Sequence, residues 1–179
     1  MIETGRLILR EWCEEDIEPF IRHTNTPAVM RWLGGVKPHD EMVEIVRTRM
    51  MRWQEERGFT FWAVERKADG ELLGFCGLKL ADGEGCGFLG AYEIGWRLRE
   101  DAWGRGYARE AAAATLDFAF DRLGAERVVA VTFAGNQPSW GLMERLGMRR
   151  RADLDYDDPR FGDHNPTIVY DVGPGELSP

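Results

Sequence analysis

The sequence predicts a single α/β (α+β) domain with a mixed central sheet of about seven strands flanked by helices. Three observations predict it. Residues 91–133 read as strand, long helix and buried strand, an order that makes the two strands parallel. Residues 59–80 read as two strands around a turn, which adds antiparallel pairing to the same sheet. The chain has 179 residues, 44% hydrophobic and 30% charged, enough for one globular core, and no repeat or linker divides it. The expected domain covers residues 1–172, with Gly173 to Pro179 a flexible tail that lacks a periodic apolar face.

Arg6 to Arg10 alternates charged and apolar ends and reads as a first strand. Glu14-Glu15-Asp16 opens a short helix whose Ile17, Phe20 and Ile21 share a face. A second helical piece spans Pro27 to Trp32 and stops at Gly34-Gly35. Asp40 to Glu56 repeats apolar residues at helical spacing, and Gly58 supplies the stop. Phe59 to Glu65 and Leu72 to Leu80 form the hairpin around Ala68-Asp69-Gly70. In the fourth strand, Ala91 to Leu98, residues Tyr92, Ile94, Trp96 and Leu98 face one side and Glu93, Gly95 and Arg97 the other. The long helix, Gly104 to Arg122, carries an inner stripe of small residues: Ala108, Ala111, Ala112, Thr115, Leu116, Ala119 and, just beyond, Leu123. Arg127 to Phe133 is the buried fifth strand, Asn136 to Leu146 a helix, and Met148 to Tyr156 and Thr167 to Val172 are closing strands.

A formal charge of −8, with no basic run longer than Arg149-Arg150-Arg151, argues against a nucleic-acid face and suits a cationic partner. Cys13, Cys76 and Cys86 are widely spaced and read as reduced packing residues. His23, His39 and His164 lack ligand spacing, so no metal is expected. The N-terminus has no charged-then-apolar signal and no apolar run reaches about 18 residues, so no membrane segment and a cytoplasmic location are expected.

The strongest chemical signal is Asp101 to Arg109, which joins the fourth strand to the long helix. Gly104 and Gly106 let backbone N–H groups approach an anion, and the helix start and its dipole attract it. Arg105 and Arg109 add positive charge. Taken alone, a Gly-x-Gly also serves merely to shape a turn. Arg109 stands where a dinucleotide fingerprint needs its third glycine, and no Gly-Lys-Ser/Thr follows, so neither a Rossmann nor a P-loop site is indicated.

Glu93-Ile94-Gly95-Trp96-Arg97-Leu98 followed by Trp103 to Ala111 resembles the acyl-CoA-binding motif of the GNAT acyltransferases, Gln/Arg-x-x-Gly-x-Gly/Ala. Asp101 stands where Gln or Arg is usual. Thr4 to Arg10, Arg31-Trp32-Leu33-Gly34 and Leu73 to Leu78 are similar to the ribosomal-protein N-terminal acetyltransferase branch, and the resemblance runs from Glu3 to Val172. It implies a sheet splayed between the fourth and fifth strands. It also implies acetyl-CoA or another acyl-CoA held by Ile94, Gly95 and Trp96, by Trp103, Gly104, Arg105, Gly106, Tyr107, Ala108 and Arg109, and by Asn136 and Ser139.

Asn136 suits a helix N-cap, Pro138 the first turn, and Ser139 lies three positions in. The resemblance implies that Asn136 contacts the pantetheine arm and that Ser139 brings a hydroxyl near the thioester sulfur. Many family members have a tyrosine general acid where this chain has Met143. The acid is then Ser139, Tyr156, water or none, since a thiol leaving group of pKa about 8.5 needs little help. Glu93 matches a strand glutamate that is the general base in some family members; a solvated sheet-face carboxylate is the other reading. Asp153, Asp155, Asp157 and Asp158 either attract a polycation or decorate a solvated hairpin. The expected activity is direct acyl transfer to a primary amine of a small molecule or protein N-terminus, by a monomer or homodimer. A non-catalytic acyl-CoA sensor is the alternative that Met143 favours.

Overall fold

The computed structural model describes residues 1–178. In chain order the elements are β1 (Ile2–Glu3), β2 (Leu7–Arg10), α1 (Ile17–Thr24), α2 (Pro27–Met30), α3 (His39–Val46), α4 (Arg52–Arg57), β3 (Phe61–Arg66), β4 (Leu72–Leu80), β5 (Tyr92–Leu98), α5 (Tyr107–Leu123), β6 (Val128–Phe133), α6 (Gln137–Arg145), β7 (Arg149–Arg150) and β8 (Thr167–Val172). The strands form one eight-stranded sheet in the order β1-β2-β3-β4-β5-β6-β8-β7. All neighbouring pairs are antiparallel except β5 and β6. No helix among the described residues is long and apolar enough to cross a membrane.

Helix α5 presents Ala111, Ala112, Thr115, Leu116 and Ala119 to the sheet, all buried. Their small side chains let the helix lie close against Leu73, Cys76, Ile94 and Leu98, and α6 adds Leu142, Met143 and Leu146 to this core. On the opposite face α1 and α3 bury Ile17, Phe20, Met42 and Val46 against Ala63 and Phe75. Val46 is followed not by continuous α-helix but by a π turn, Arg47–Met51. The Thr60 hydroxyl donates to the Met50 carbonyl at 2.8 Å, a side-chain insertion of the kind that loosens a helical ladder.

The expected strand Met148 to Tyr156 is broken. Only Arg149–Arg150 pairs as a strand, a 3₁₀ turn covers Ala152–Leu154, and Tyr156 returns as a single bridge to Thr167. Asp155 Oδ1 accepts from the Val169 N–H at 3.2 Å, so a side chain fills a ladder position that backbone would have taken. Residues 157–166 then form a loop closed at its base by the Tyr156–Thr167 bridge and by Asp158 and Asn165, whose N–H and side-chain amide exchange bonds of 3.0 and 2.9 Å.

Two other expectations meet a different arrangement. Cys13 is exposed, not packed; its thiol donates to Asp16 at 3.2 Å, while Cys76 and Cys86 are buried. The tail residues Glu176 and Ser178 lie against the end of α6: Ser178 N–H donates to Leu146 O at 3.2 Å, and Glu176 pairs with Arg127 and Arg149.

Candidate active site

The turn from β5 into α5 is built from backbone. Gly104 has φ +70° and Gly106 has φ +79°, a left-handed conformation that costs a side-chain-bearing residue about 1–2 kcal/mol. Gly106 is the N-cap of α5 and has no side chain to cap it, so the first-turn N–H groups are left to an outside acceptor. A fork from Arg6 holds the turn in place. Arg6 donates through N–H and Nε to Glu110 at 2.8 and 2.6 Å and through Nη1 to Arg105 O at 3.0 Å, and its guanidinium lies 4.6 Å from the Tyr107 ring centre. Burial works to raise the Glu110 carboxyl, but bonds from Thr4 and Arg6 outweigh it and hold the group low, so it stays charged. Asp101 is bound by Arg99 at 2.6 Å, which offsets its charge. Arg6, Gly106, Arg109 and Ala113 line an open groove of about 600 Å³ that reaches Leu146, Leu177 and Ser178. Trp103 is 50% exposed, its indole N–H tied to Leu98 O at 2.8 Å.

Strands β5 and β6 pair at Tyr92↔Val128 and Glu93↔Val129 and nowhere beyond, so they diverge toward the cradle. The direction of the freed groups follows from the other edge. Arg99 N–H donates to Leu73 O and Ala81 N–H to Ala91 O, so odd-numbered residues of β5 aim their peptide groups at β4 and even-numbered ones toward β6. Past the last pair, the Ile94 carbonyl and the Trp96 N–H face the gap. Glu93 sits where the strands part, on the face away from α5, and is 6% exposed. Its partner is Lys79 at 3.3 Å, which also pairs with Asp82. Burial raises the Glu93 proton affinity, and Lys79 only partly opposes this. A carboxylate so placed can accept a proton nearer neutral pH than an ordinary glutamate.

Across the gap, Asn136 occupies the N-cap position of α6 without capping it. Its amide turns back to donate to Thr132 Oγ1 at 2.9 Å. Ser139 lies in the first turn of α6, half-buried. Met143 is 1% exposed and belongs to the core under α5 and α6. The face opposite α5 is roofed by residues distant in sequence. Trp32 abuts Gly135, where an added Cβ would lie 2.5 Å from the indole, and Trp32 and Phe133 contact His164 with ring centres 5.1 and 5.4 Å apart. Tyr156 stands on Glu93's side, and burial first, then the Glu93 charge, pushes its hydroxyl up.

A family model, the acetyltransferase (GNAT) domain, matches residues 6–149. The chain belongs to the GNAT acetyltransferase family. The Bacillus subtilis protein YoaA, named as an uncharacterized N-acetyltransferase, is 28% identical over 175 residues and 96% of each chain. A crystal structure of a Bacillus anthracis GNAT acetyltransferase superposes with TM-score 0.79 at 27% identity, covering 96% of this chain and 97% of that one. The spermidine N-acetyltransferase of Vibrio cholerae, solved with CoA and spermine, shares the fold at TM-score 0.75 and 16% identity, over 97% and 98%. This GNAT protein is thus an acyl-CoA-dependent N-acetyltransferase with acetyl-CoA as the co-substrate of its fold.

Both glycines of the turn have the positive φ the motif requires, and β5 and β6 part as the resemblance implied. Missed were the Arg6–Glu110 clamp, the Lys79–Glu93 pair and the Trp32–His164 roof. Each joins residues at least 14 positions apart, and only the apolar-polar alternation of β4 and β5 offered a signal for Lys79 opposite Glu93. Three members of the aspartate run have arginine partners. Asp153 pairs with Arg151, Asp155 with Arg150 and Asp158 with Arg160.

Proposed function

We propose that this acetyltransferase seats the diphosphate of acetyl-CoA on the Gly104–Arg109 turn and transfers the acetyl group directly to a primary amine of a small molecule or a protein N-terminus. Bound acetyl-CoA supplies an activated thioester. The residues fit it: the Gly106 cap leaves first-turn N–H groups available to a phosphate, and the gap beyond Glu93↔Val129 leaves strand edges for an extended amide arm. The observation that carries the reading is the buried Glu93 at that parting.

Glu93 takes the ammonium proton, directly or through one water. The Trp96 N–H, with its neighbours from Ile94, stabilises the charge that develops on the carbonyl oxygen. Asn136, held by Thr132, and Ser139 line the arm, and Ser139 offers the departing sulfur a proton. Tyr156 is the other hydroxyl on this side, and burial raises its proton affinity above that of an ordinary phenol. Alignment of amine and thioester in the gap supplies much of the acceleration. Deprotonating an α-amine of pKa about 7.8 at pH 7 costs roughly 1 kcal/mol, against roughly 4.6 for a lysine near 10.4, so one buried carboxylate serves an α-amine best. The sensor alternative rests on Met143, which is buried in the core under α5 and α6 and cannot donate a proton.

Acetyl-CoA-dependent thiol release against a panel of α-amino peptides, lysine side chains and polyamines, with mass spectrometry of the products, tests the proposal. An acetylated α-amine is the expected product. Tight acetyl-CoA binding with no amine turned over across the panel would instead support the sensor.

A further inference from the structure

Arg97 follows Glu93 by four residues on the same face of β5, opposite α5. Its cross-strand neighbour is Phe75 of β4, and Phe20 of α1 covers it. The guanidinium carbon lies 5.3 and 5.7 Å from the two ring centres. Although the residue as a whole is only partly buried, its Nε and Nη1 are shut off from water and bond to nothing. Among the described residues no carboxylate pairs with it. Two residues on, Arg99 shows the contrast, shared between Asp101 and Glu71 at 2.6 and 2.9 Å. Burial lowers the Arg97 pKa to about 10, which leaves the group charged at neutral pH. Two phenylalanine rings compensate a buried cation only in part.

The strand between Glu93 and Arg97 contributes no side chain of its own to this face, and the space over it is taken by the Phe61 ring from β3. The residue between them on β5 is Gly95, its β4 partner is Gly77, and the Phe61 ring lies over Gly95, 3.0 Å from where a Cβ would stand. Four residues of strand span roughly 13 Å between Cα atoms. An amine at Glu93 would thus lie across the Phe61 ring from a cation in need of an anion.

We propose that Arg97 anchors a carboxylate on the acceptor, so that the enzyme selects amines carrying an acidic group several bonds away. The inference rests on the placement of the amine at Glu93 proposed above. A planar guanidinium with free N–H groups matches a carboxylate in two-point geometry. The same chemistry is offered by a free ω-amino acid and by a peptide with an acidic residue behind its N-terminus.

The test compares matched acceptors, 6-aminohexanoate against hexylamine and the C-terminally amidated dipeptide Ala-Asp against amidated Ala-Asn, in the wild type and in Arg97→Gln, Arg97→Met and Arg97→Lys. The wild type should favour the acidic member of at least one pair by about tenfold or more in kcat/KM, as charged hydrogen bonds do. The pair that shows the preference identifies the source. In Arg97→Gln and Arg97→Met the ratio should fall toward one, chiefly through acceptor KM, and Arg97→Lys should keep part of it. Calorimetric binding of 6-aminohexanoate and amidated Ala-Asp, read without turnover, should weaken in parallel, so a failure of the catalytic proposal would leave this arm intact. Removing an unpartnered buried charge should also leave Tm equal or higher, which keeps the variants readable. Three results would overturn the proposal: no acidic preference in the wild type, a preference that survives Arg97→Met, or a loss expressed as a higher acetyl-CoA KM.

Discussion

The two sides of the β5–β6 gap are made from different material. On the cradle side, a few consecutive residues set the geometry through backbone: two left-handed glycines, an uncapped helix start and a strand edge with its peptide groups turned outward. On the opposite face, the walls come from β4, β5, α1, the segment after α2 and the 157–166 loop, joined by ion pairs and ring contacts. The first construction serves a ligand common to many enzymes, because peptide groups present the same N–H whatever the side chains. The second varies with every substitution, and the proposed acceptor selection is placed there for that reason.

Substitutions should separate the two sides, with the largest effect on chemistry. Glu93→Gln is nearly isosteric and should lower kcat by about 10²–10³-fold, the range of a lost general base, with acetyl-CoA affinity nearly unchanged. The deficit should shrink as pH approaches the amine's own pKa. Stopped assays from pH 6 to pH 9 check this, and equal rates throughout would return the role to solvent. On the cradle side, Gly106→Glu places a side chain at φ +79°, close to Arg6 and facing the anion. Its acetyl-CoA affinity should fall about 100-fold by calorimetry, with the far-ultraviolet spectrum unchanged. Ser139→Ala should reduce turnover by up to about 10²-fold and affinity by less; an unaltered pH–rate profile and rate would make the residue structural. The smallest effect belongs to Lys79→Met. Lys79 is what restrains the proton affinity that burial gives Glu93, so its loss should move the acid limb of the rate profile to higher pH. The sign for stability is the same: a carboxyl that binds its proton more tightly folded than unfolded favours the fold at low pH and loses that contribution as pH rises. Unfolding measured across pH 4 to 8 should show Lys79→Met falling behind the wild type toward the upper end.

The legible parts of the molecule follow from that division. Alternation placed Glu93, Gly95 and Arg97 on one face of β5, and the small-residue stripe of α5 placed the helix against the other. Gly58 ended its helix in a left-handed cap, as its position suggested, and Gly124 does the same for α5. The illegible parts depended on partners far along the chain. Nothing local distinguishes Arg97, which has no protein anion, from Arg99, which has two. Asn136 looked like a helix cap because its position is one, but Thr132, one turn of chain earlier and buried, takes its amide instead. The broken strand at 151–155 failed for a related reason, since Asp155 answers a backbone donor on β8 that periodicity does not register.

The two residue pairs between β5 and β6 also make a seam. Strands β1 to β5 form one plate and β6 to β8 another, and the plates share an apolar weld on the α5 side only. Such a joint is stiff toward the welded face and compliant toward the other, where Trp32, His164 and Phe133 merely touch. A small opening of the plates toward that face would leave the turn from β5 into α5 undisturbed.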